Sequence, residues 1–390
     1  MKKRLTIEDR ILIEQLLKLN YKLKEIASIL DCESSTVSRE IKKRRITGKG
    51  DYKECEKTIK YPFVCNGCQN KTYCRKKKYY YNFTKAHEHY KYILKVSRTG
   101  IDMGLDELYY WDEYFKDKLK YKNQPITHIF KNIENSFPKS MPTFYRYIHN
   151  GHFPSLNDEM LARAYSYKPR KRTGEDNKIR IDNSIKQGRT LDNMKAYLEN
   201  YPNANIVEMD TVIGKQEDKK CILTLYFRNS KLMLMFLIDK YKTKSVSDVF
   251  KTLKKILGYE VFKNLFEIIL TDNGWEFSKP EDIEFDYQTG EKLINVFYCN
   301  PYSSWEKGGI ERNHEFIRYI IPKGITFDQL TNKNIIDMMN NINNVKRKSM
   351  DYKTPYEIFE NIYGENITKK LHLKSIPKDE VDLSYKLLIK

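Results

Sequence analysis

No stretch of this 390-residue chain approaches the roughly 18 consecutive apolar residues that a membrane-spanning helix needs, and its first residues lack the apolar centre of a secretory signal. No membrane partner and a cytoplasmic location are therefore expected. Acidic residues are in deficit: 52 Asp and Glu stand against 71 Lys and Arg, a formal charge of +19 that points to a polyanionic partner. Cysteine is sparse and odd in number, seven in all. That argues against a secreted disulfide framework and for reduced thiols, some of them on metal. Apolar residues, at 40%, still suffice for real cores, and the length allows two or three domains. Because the richness in Lys, Asn, Ile and Tyr would also follow from an A·T-rich coding genome, the clustering of basic residues is more informative than their total.

The most informative stretch runs from Asn205 to about Ile320. Asp210 lies in the β-rich run Ile206-Val207-Glu208-Met209-Asp210. Two further strands are predicted over 221–228 and 231–238, split by the turn signal Asn229-Ser230, so the three form an antiparallel meander. Ser245 opens a helix whose Val246, Val249, Phe250, Leu253 and Leu257 share one face. A buried strand from Phe266 then ends on Thr271-Asp272-Asn273-Gly274, and a fifth, 294–299, leads into a Gly-rich loop and a helix with Glu311 in its first turn. Carboxylates at strand ends, with a third arriving on a helix, suit hard divalent cations that take oxygen ligands. A lone Asp-Asn-Gly is more often a turn; three acidic segments in the right elements of one domain-sized span carry more.

Asp210-Thr211, Thr271-Asp272-Asn273-Gly274-Trp275-Glu276-Phe277, and Asn300-Pro301-Tyr302-Ser303-Ser304-Trp305 followed by Gly308 to Glu311 resemble the DDE transposases of the IS-thirty family, distant relatives of retroviral integrases. The resemblance covers nearly the whole chain. It implies an RNase H-like core with Asp210, Asp272 and Glu311 as catalytic, metal-binding triad, two Mg²⁺ or Mn²⁺ ions, and no covalent protein–DNA intermediate. The gap from Asp272 to Glu311 is a few residues longer than the family's, the extra length falling in the polar residues 281–290. Glu306 and Glu315 compete with Glu311 for the third position. Glu306 has the spacing nearest other DDE enzymes but precedes Gly308-Gly309 in a loop expected to be flexible, and Glu315 lies a turn farther along the helix. His314 would either touch phosphate or pack.

Toward the N-terminus, Thr6 to Asp9 form a capping-box-like start, followed by two helices and a third beginning at Ser34-Ser35-Thr36-Val37-Ser38-Arg39-Glu40-Ile41-Lys42-Lys43. This pattern reads as helix-turn-helix, with Val37 and Ile41 inward and Ser35, Thr36, Ser38, Arg39, Lys42 and Lys43 available to DNA. An ordinary three-helix bundle with a solvated face would look similar. Cys55, Cys65, Cys68 and Cys74 are spaced for one structural Zn²⁺, or for inert thiols in a loop-rich region, with His87 and His89 as substitutes for Cys55. The basic-aromatic residues 76–81 either contact phosphates or cover the core. A second helix-turn-helix is expected around Ile126, Ile129, Phe130 and Ile133 and a capped helix with Phe144 and Ile148 inward, leaving Thr143 and Arg146 for DNA. Lys168, Arg170, Lys171 and Arg172 open a basic linker.

The expected class is α+β multidomain: helix-turn-helix domains followed by an RNase H-like α/β core with a five-stranded mixed sheet. The expected divisions are 1–48, 51–95 (Cys-rich), 96–165, 166–200 (linker), 201–345 (catalytic) and 346–390. The function implied by the resemblance is transposition: binding of terminal inverted repeats in double-stranded DNA, cleavage, and strand transfer to target DNA. It would act as a homodimer or higher oligomer in the bacterial cytoplasm, at the nucleoid. Two alternatives use the same residues, a regulator that keeps the fold without the chemistry and an RNase H-like nuclease without strand transfer.

Overall fold

The computed structural model describes residues 4–48, 53–96, 103–133, 137–161, 183–300 and 303–389. The expected contacts Lys168, Arg170, Lys171 and Arg172 lie outside the described residues. The chain divides into two compact units, Met1–Glu113 with Asn150–Ser155, and Tyr114–His149 with Leu156–Lys390.

The first unit starts with α1 (Ile7–Lys18), α2 (Leu23–Ile29) and α3 (Ser34–Arg44). The expected capping box at Thr6 is present, Asp9 N–H donating to Thr6 Oγ1 (3.2 Å) and Thr6 N–H to the Asp9 carboxylate (2.8 Å). Val37 and Ile41 are fully buried with Ile13, Leu17 and Ile26. Strand β1 (Ile46–Gly48) pairs antiparallel with β2 (Lys78–Tyr80), and α4 (Phe83–Val96) follows. A buried ion pair joins the first helix to the third: Arg10 Nε donates to Glu40 (2.7 Å), Tyr81 Oη donates to the same oxygen (3.1 Å), and Arg10 Nη1 donates to Leu5 O (2.8 Å). Breaking such a pair costs about 3–5 kcal/mol, because the remaining charge stays buried alone. Tyr79 and Tyr81 are buried, so the aromatic half of the 76–81 stretch covers the core. The boundary between the units falls in α5 (Leu105–Lys116).

In the second unit, α6 (Ile126–Asn132) and α7 (Met141–His149) carry the expected inward residues Ile126, Ile129, Phe144 and Ile148. They belong to the same unit as the five-stranded sheet and the C-terminal segment. Gln124 Nε2 donates to Val381 O (2.6 Å), and the buried His128 lies between Lys378 O (3.0 Å) and Lys346 N–H (3.0 Å). After α8 (Leu191–Asn200) comes the meander β3 (Ile206–Ile213), β4 (Lys220–Phe227) and β5 (Met233–Asp239), β3 running three residues past the expected run and β4 and β5 within one or two residues of expectation. Then follow α9 (Thr243–Leu257), α10 (Tyr259–Phe266), β6 (Ile268–Thr271), the short α11 (Glu281–Glu284), β7 (Asn295–Tyr298), α12 (Gly308–Ile320), α13 (Asn332–Asn343), α14 (Pro355–Tyr363) and α15 (Glu365–Lys370).

The sheet order is β5-β4-β3-β6-β7, antiparallel across β5, β4 and β3 and parallel from β3 through β6 to β7. That five-stranded mixed sheet, three strands of meander and two parallel additions on the far side of the first strand, is the RNase H-like arrangement. Alternation divides β6 between two cores: Ile269 packs with Phe250, Phe262 and Phe266 from α9 and α10, while Ile268 and Leu270 pack with Met194 of α8. Each fully buried side chain of this kind contributes about 1.5–3 kcal/mol. The polar stretch 281–290 is built into the fold: Glu284 is fully buried, accepting from Arg189 Nη2 (2.7 Å) and Val296 N–H (3.0 Å).

Candidate active site

Register brings the first two carboxylates together. Met209 of β3 pairs with Thr271 of β6, so one step farther along these parallel strands sets Asp210 beside Asp272. Each aspartate is steadied by a backbone donor, Asp210 Oδ1 by Thr211 N–H (2.8 Å) and Asp272 Oδ1 by Gly274 N–H (3.1 Å). Their other oxygens face the Lys307 ammonium, at 3.4 Å from Asp210 Oδ2 and 3.7 Å from Asp272 Oδ2. Lys307 also donates to Met209 O (3.2 Å) and is 4% exposed. Burial alone would depress its pKa; the two aspartates outweigh burial and raise it, so the side chain is a cation.

Glu311 reaches the same region from the first turn of α12. Burial first, and the Asp210 charge next, raise its pKa, while Lys307 pulls the other way. The helix start is fixed by a residue that the strand pattern did not single out. Glu208, buried and two positions before Asp210 on the same face of β3, accepts from Ile310 N–H at Oε2 (2.7 Å) and from Arg228 Nε at Oε1 (2.7 Å). The period of two along the strand is the signal that could have found it. Gly309 permits the close approach: a Cβ there would run into the Tyr226 ring and stand 3.1 Å from Glu208 Oε2.

Glu306 lies in a 3₁₀ turn (Ser304–Lys307) rather than in a flexible loop, because both ends are tied. Its carboxylate accepts from Asn300 N–H (2.8 Å) and Asn300 Nδ2 (3.0 Å), and its carbonyl from Arg228 Nη2 (2.7 Å). Its carboxylate is thus engaged in holding the loop. His314 packs: its Nε2 meets Thr224 Oγ1 (2.9 Å), and burial, with the Lys307 and Arg318 charges behind it, pushes its pKa down to about 3. An open cleft of about 630 Å³, lined by Asp210, Glu311, His314, Glu315, Arg318 and Lys323 among others, lies in front of Asp210 and Glu311. Trp275 and Trp305, from the two motifs, are both exposed.

Among the described residues no three His, Cys, Asp or Glu are grouped closely enough to hold a metal ion. Asp210 and Asp272 are brought together, with Glu311 near them but not joined into a three-ligand cage. The donor set nevertheless fits a divalent cation: two hard oxygen ligands already share one positive charge. Cys55, Cys65, Cys68 and Cys74 are free thiols, and Cys65 is raised by burial and by the other three nearby, without their forming a metal cluster.

On α3, Ser35, Arg39, Lys42 and Lys43 are exposed and Thr36 and Ser38 half-buried. Arg39 bonds back to Ser35, Nε to O (3.2 Å) and Nη2 to Oγ (3.1 Å). Arg44 and Arg45 instead turn inward, to Ala86 O (3.2 Å) and Thr58 O (2.8 Å). Arg146 on α7 is exposed; Thr143 is half-buried, its N–H meeting the Ser140 hydroxyl (3.4 Å).

The family model described as a helix-turn-helix domain matches residues 2–44, the segment of α1 to α3. Over 161 residues the chain is 38% identical to the transposase for insertion sequence element IS4351 of Bacteroides fragilis, a match covering 41% of this chain and 46% of that protein. Over 365 residues it is 24% identical to transposase InsI for insertion sequence element IS30C of Escherichia coli (strain K12), covering 91% of this chain and 83% of that one. The catalytic core domain of BIV integrase shares 24% identity over 43% of this chain and 99% of its own, with a TM-score of 0.29. The N-terminal match and the alignment to InsI along nearly the whole length make this chain similar to the insertion-sequence transposases of the IS-thirty type.

Proposed function

We propose that the protein binds the terminal inverted repeats of an insertion sequence, hydrolyses a phosphodiester at the element's end, and joins the freed 3′-hydroxyl to target DNA by a DDE mechanism. The observation that carries this reading is the convergence of Asp210 and Asp272 on a single buried cation, beside the helix that bears Glu311. Asp210, Asp272 and Glu311 would hold two Mg²⁺ or Mn²⁺ ions, which when bound activate the attacking oxygen and stabilise the leaving one in an in-line displacement. The chain's own part is positioning. Thr211 N–H and Gly274 N–H each occupy one oxygen of an aspartate and leave the other facing Lys307, and Glu208 aims the start of α12. His314, in the cleft wall, is neutral, with its Nε2 on Thr224 Oγ1. No tyrosine acts as a nucleophile in this reaction.

The outer face of α3, with Ser35, Thr36, Ser38, Arg39, Lys42 and Lys43, and Thr143 and Arg146 of α7 contact double-stranded DNA, as does the basic run at 168–172. Synapsis of two element ends calls for at least a homodimer, acting in the bacterial cytoplasm at the nucleoid. No helix among the described residues is long and apolar enough to cross a membrane. One structural Zn²⁺ on Cys55, Cys65, Cys68 and Cys74 belongs to the same reading, and metal analysis of unchelated protein that finds no stoichiometric zinc removes it. The function is tested by incubating full-length protein with a labelled element end, target DNA and Mg²⁺. Products joined to target are expected; cut ends alone would make it a nuclease, and neither would make it a regulator.

A further inference from the structure

We propose that Lys307 is a resident counter-cation of the site: its ammonium holds Asp210 and Asp272 together before an ion binds and is exchanged for a divalent cation on loading. The inference rests on the reading that these aspartates take such an ion. Lysine is almost never fully buried unless paired, and Lys307 is 4% exposed with two carboxylates as its partners. At 3.4 Å from Asp210 and 3.7 Å from Asp272 it spans the two, nearer Asp210, and is tight on neither, since a short charge-assisted hydrogen bond would close to about 2.7–2.9 Å. Its hydrogen bond goes to a backbone carbonyl, Met209 O. The ammonium therefore occupies the space between two oxygens that a small dication would draw in, at distances of about 2.0–2.6 Å.

Two cations cannot share that space, and the backbone determines how the first one leaves. On one side of Lys307 the Glu306 carbonyl is held by Arg228 Nη2 (2.7 Å), and on the other Ile310 N–H is held by Glu208 Oε2 (2.7 Å). The segment is clamped at both ends, so exchange proceeds by rotation of the flexible lysine side chain and not by movement of α12. The start of the helix, and Glu311 with it, stays in place through loading. Lys307 thus has two effects of opposite sign: it removes the mutual repulsion of the aspartates in the ion-free protein, and it competes with the ion.

The test is binding of Mn²⁺ alone, without DNA, to full-length wild type, Lys307→Met and Asp210→Asn, followed by calorimetry and by the fraction of free ion in the electron paramagnetic resonance spectrum. Removing the ammonium frees the whole population to bind, so Lys307→Met should hold Mn²⁺ about tenfold more tightly or better. Without ion the same variant should melt below wild type, and Mn²⁺ should raise its melting temperature more than that of wild type. Equal or weaker binding by Lys307→Met, with wild-type binding removed by Asp210→Asn, leaves the metal site standing and overturns the exchange. Absence of Mn²⁺ binding by all three overturns the metal-site reading and the exchange together. Should Lys307→Met not fold even with Mn²⁺ present, Lys307→Gln is read against the same outcomes.

Discussion

Helices α3 and α12 are alike on paper, 11 and 13 residues with a buried apolar edge and a polar face rich in charge. They differ in what the polar face touches. On α3 the outward residues Ser35, Arg39 and Lys42 are exposed, and the bonds of Arg39 run only to Ser35 one turn back. On α12, apart from the exposed Glu311 and Arg312, the helix is tied into the unit by the backbone Ile310 N–H to Glu208 and by the side chains Asn313 Oδ1 to Arg347 Nη1 (2.6 Å), His314 to Thr224, and Arg318 Nη2 to Ile213 O (2.8 Å). A DNA-reading face must stay solvated to be available, whereas a helix that aims one carboxylate has to be fixed along its length. Function should therefore separate from stability on α3 and be joined to it on α12.

The largest effect is expected at Glu311, exposed in the first turn of α12. Glu311→Gln should abolish cleavage and strand transfer, a loss on the order of a thousandfold or more, since several kcal/mol of charge stabilisation goes with the ligand. DNA binding measured by gel shift should be unchanged. Glu306→Gln should keep most activity, because its amide oxygen can still accept one of the two bonds from Asn300 and the Arg228 bond to the Glu306 carbonyl is untouched. An inactive Glu306→Gln beside an active Glu311→Gln would reverse the assignment of the third carboxylate.

Next comes Glu208→Ala, which removes the anchor rather than the ligand. It leaves Ile310 N–H and Arg228 Nε without their acceptor, and should lower unfolding stability in urea by about 2–4 kcal/mol while also lowering cleavage. If cleavage falls with the denaturation midpoint unchanged, α12 is not coupled to stability in the way the comparison requires.

What was legible in the sequence follows from how local the signal is. Asp210, Asp272 and Glu311 could be placed because each sits at a strand or helix position marked by its own neighbours, and Val37 and Ile41 because four-residue spacing decides which side of a helix is inward. Glu208 and Lys307 were missed because their roles arise only when β3, β6 and α12 come together. A buried glutamate in a strand and a lysine before two glycines look like surface charges until the register is known. The flexible loop expected at Glu306 failed for the same reason, since Asn300 and Arg228 tie it down from elsewhere. Arg44 and Arg45 show the converse case, part of a basic run whose inward bonds no spacing rule announces.

A pH effect on α12 should come third. The His314 pKa is depressed to about 3, against about 6.5 for an unfolded histidine. Between those values the unfolded chain holds a proton that the folded chain does not, so stability rises with pH across this window and is lost as pH falls from 6.5 toward 3. His314→Gln should flatten that part of the stability curve, as read from melting temperatures at stepped pH. An unchanged slope would mean that the imidazole protonates in place, and that the Thr224 contact is not what holds α12.

The smallest effect on the molecule, and the sharpest test of the other half of the comparison, is Arg39→Ala. The side chain is exposed and bonds only within its own turn, so unfolding stability should stay within about 0.5 kcal/mol of wild type. Affinity for the element's end should nonetheless fall by about 1–3 kcal/mol if Arg39 reads a base edge, with discrimination relaxed at one position of the site. If it meets a phosphate instead, binding should weaken evenly across sequences and the slope of log K against log salt should shrink by about one ion. Lys42→Ala is the control on the same face, expected to follow the phosphate pattern because an ammonium is a point charge without the guanidinium's two-pronged geometry. A loss of stability in either variant would show that the outward face of α3 is part of the fold after all, and the contrast with α12 would disappear.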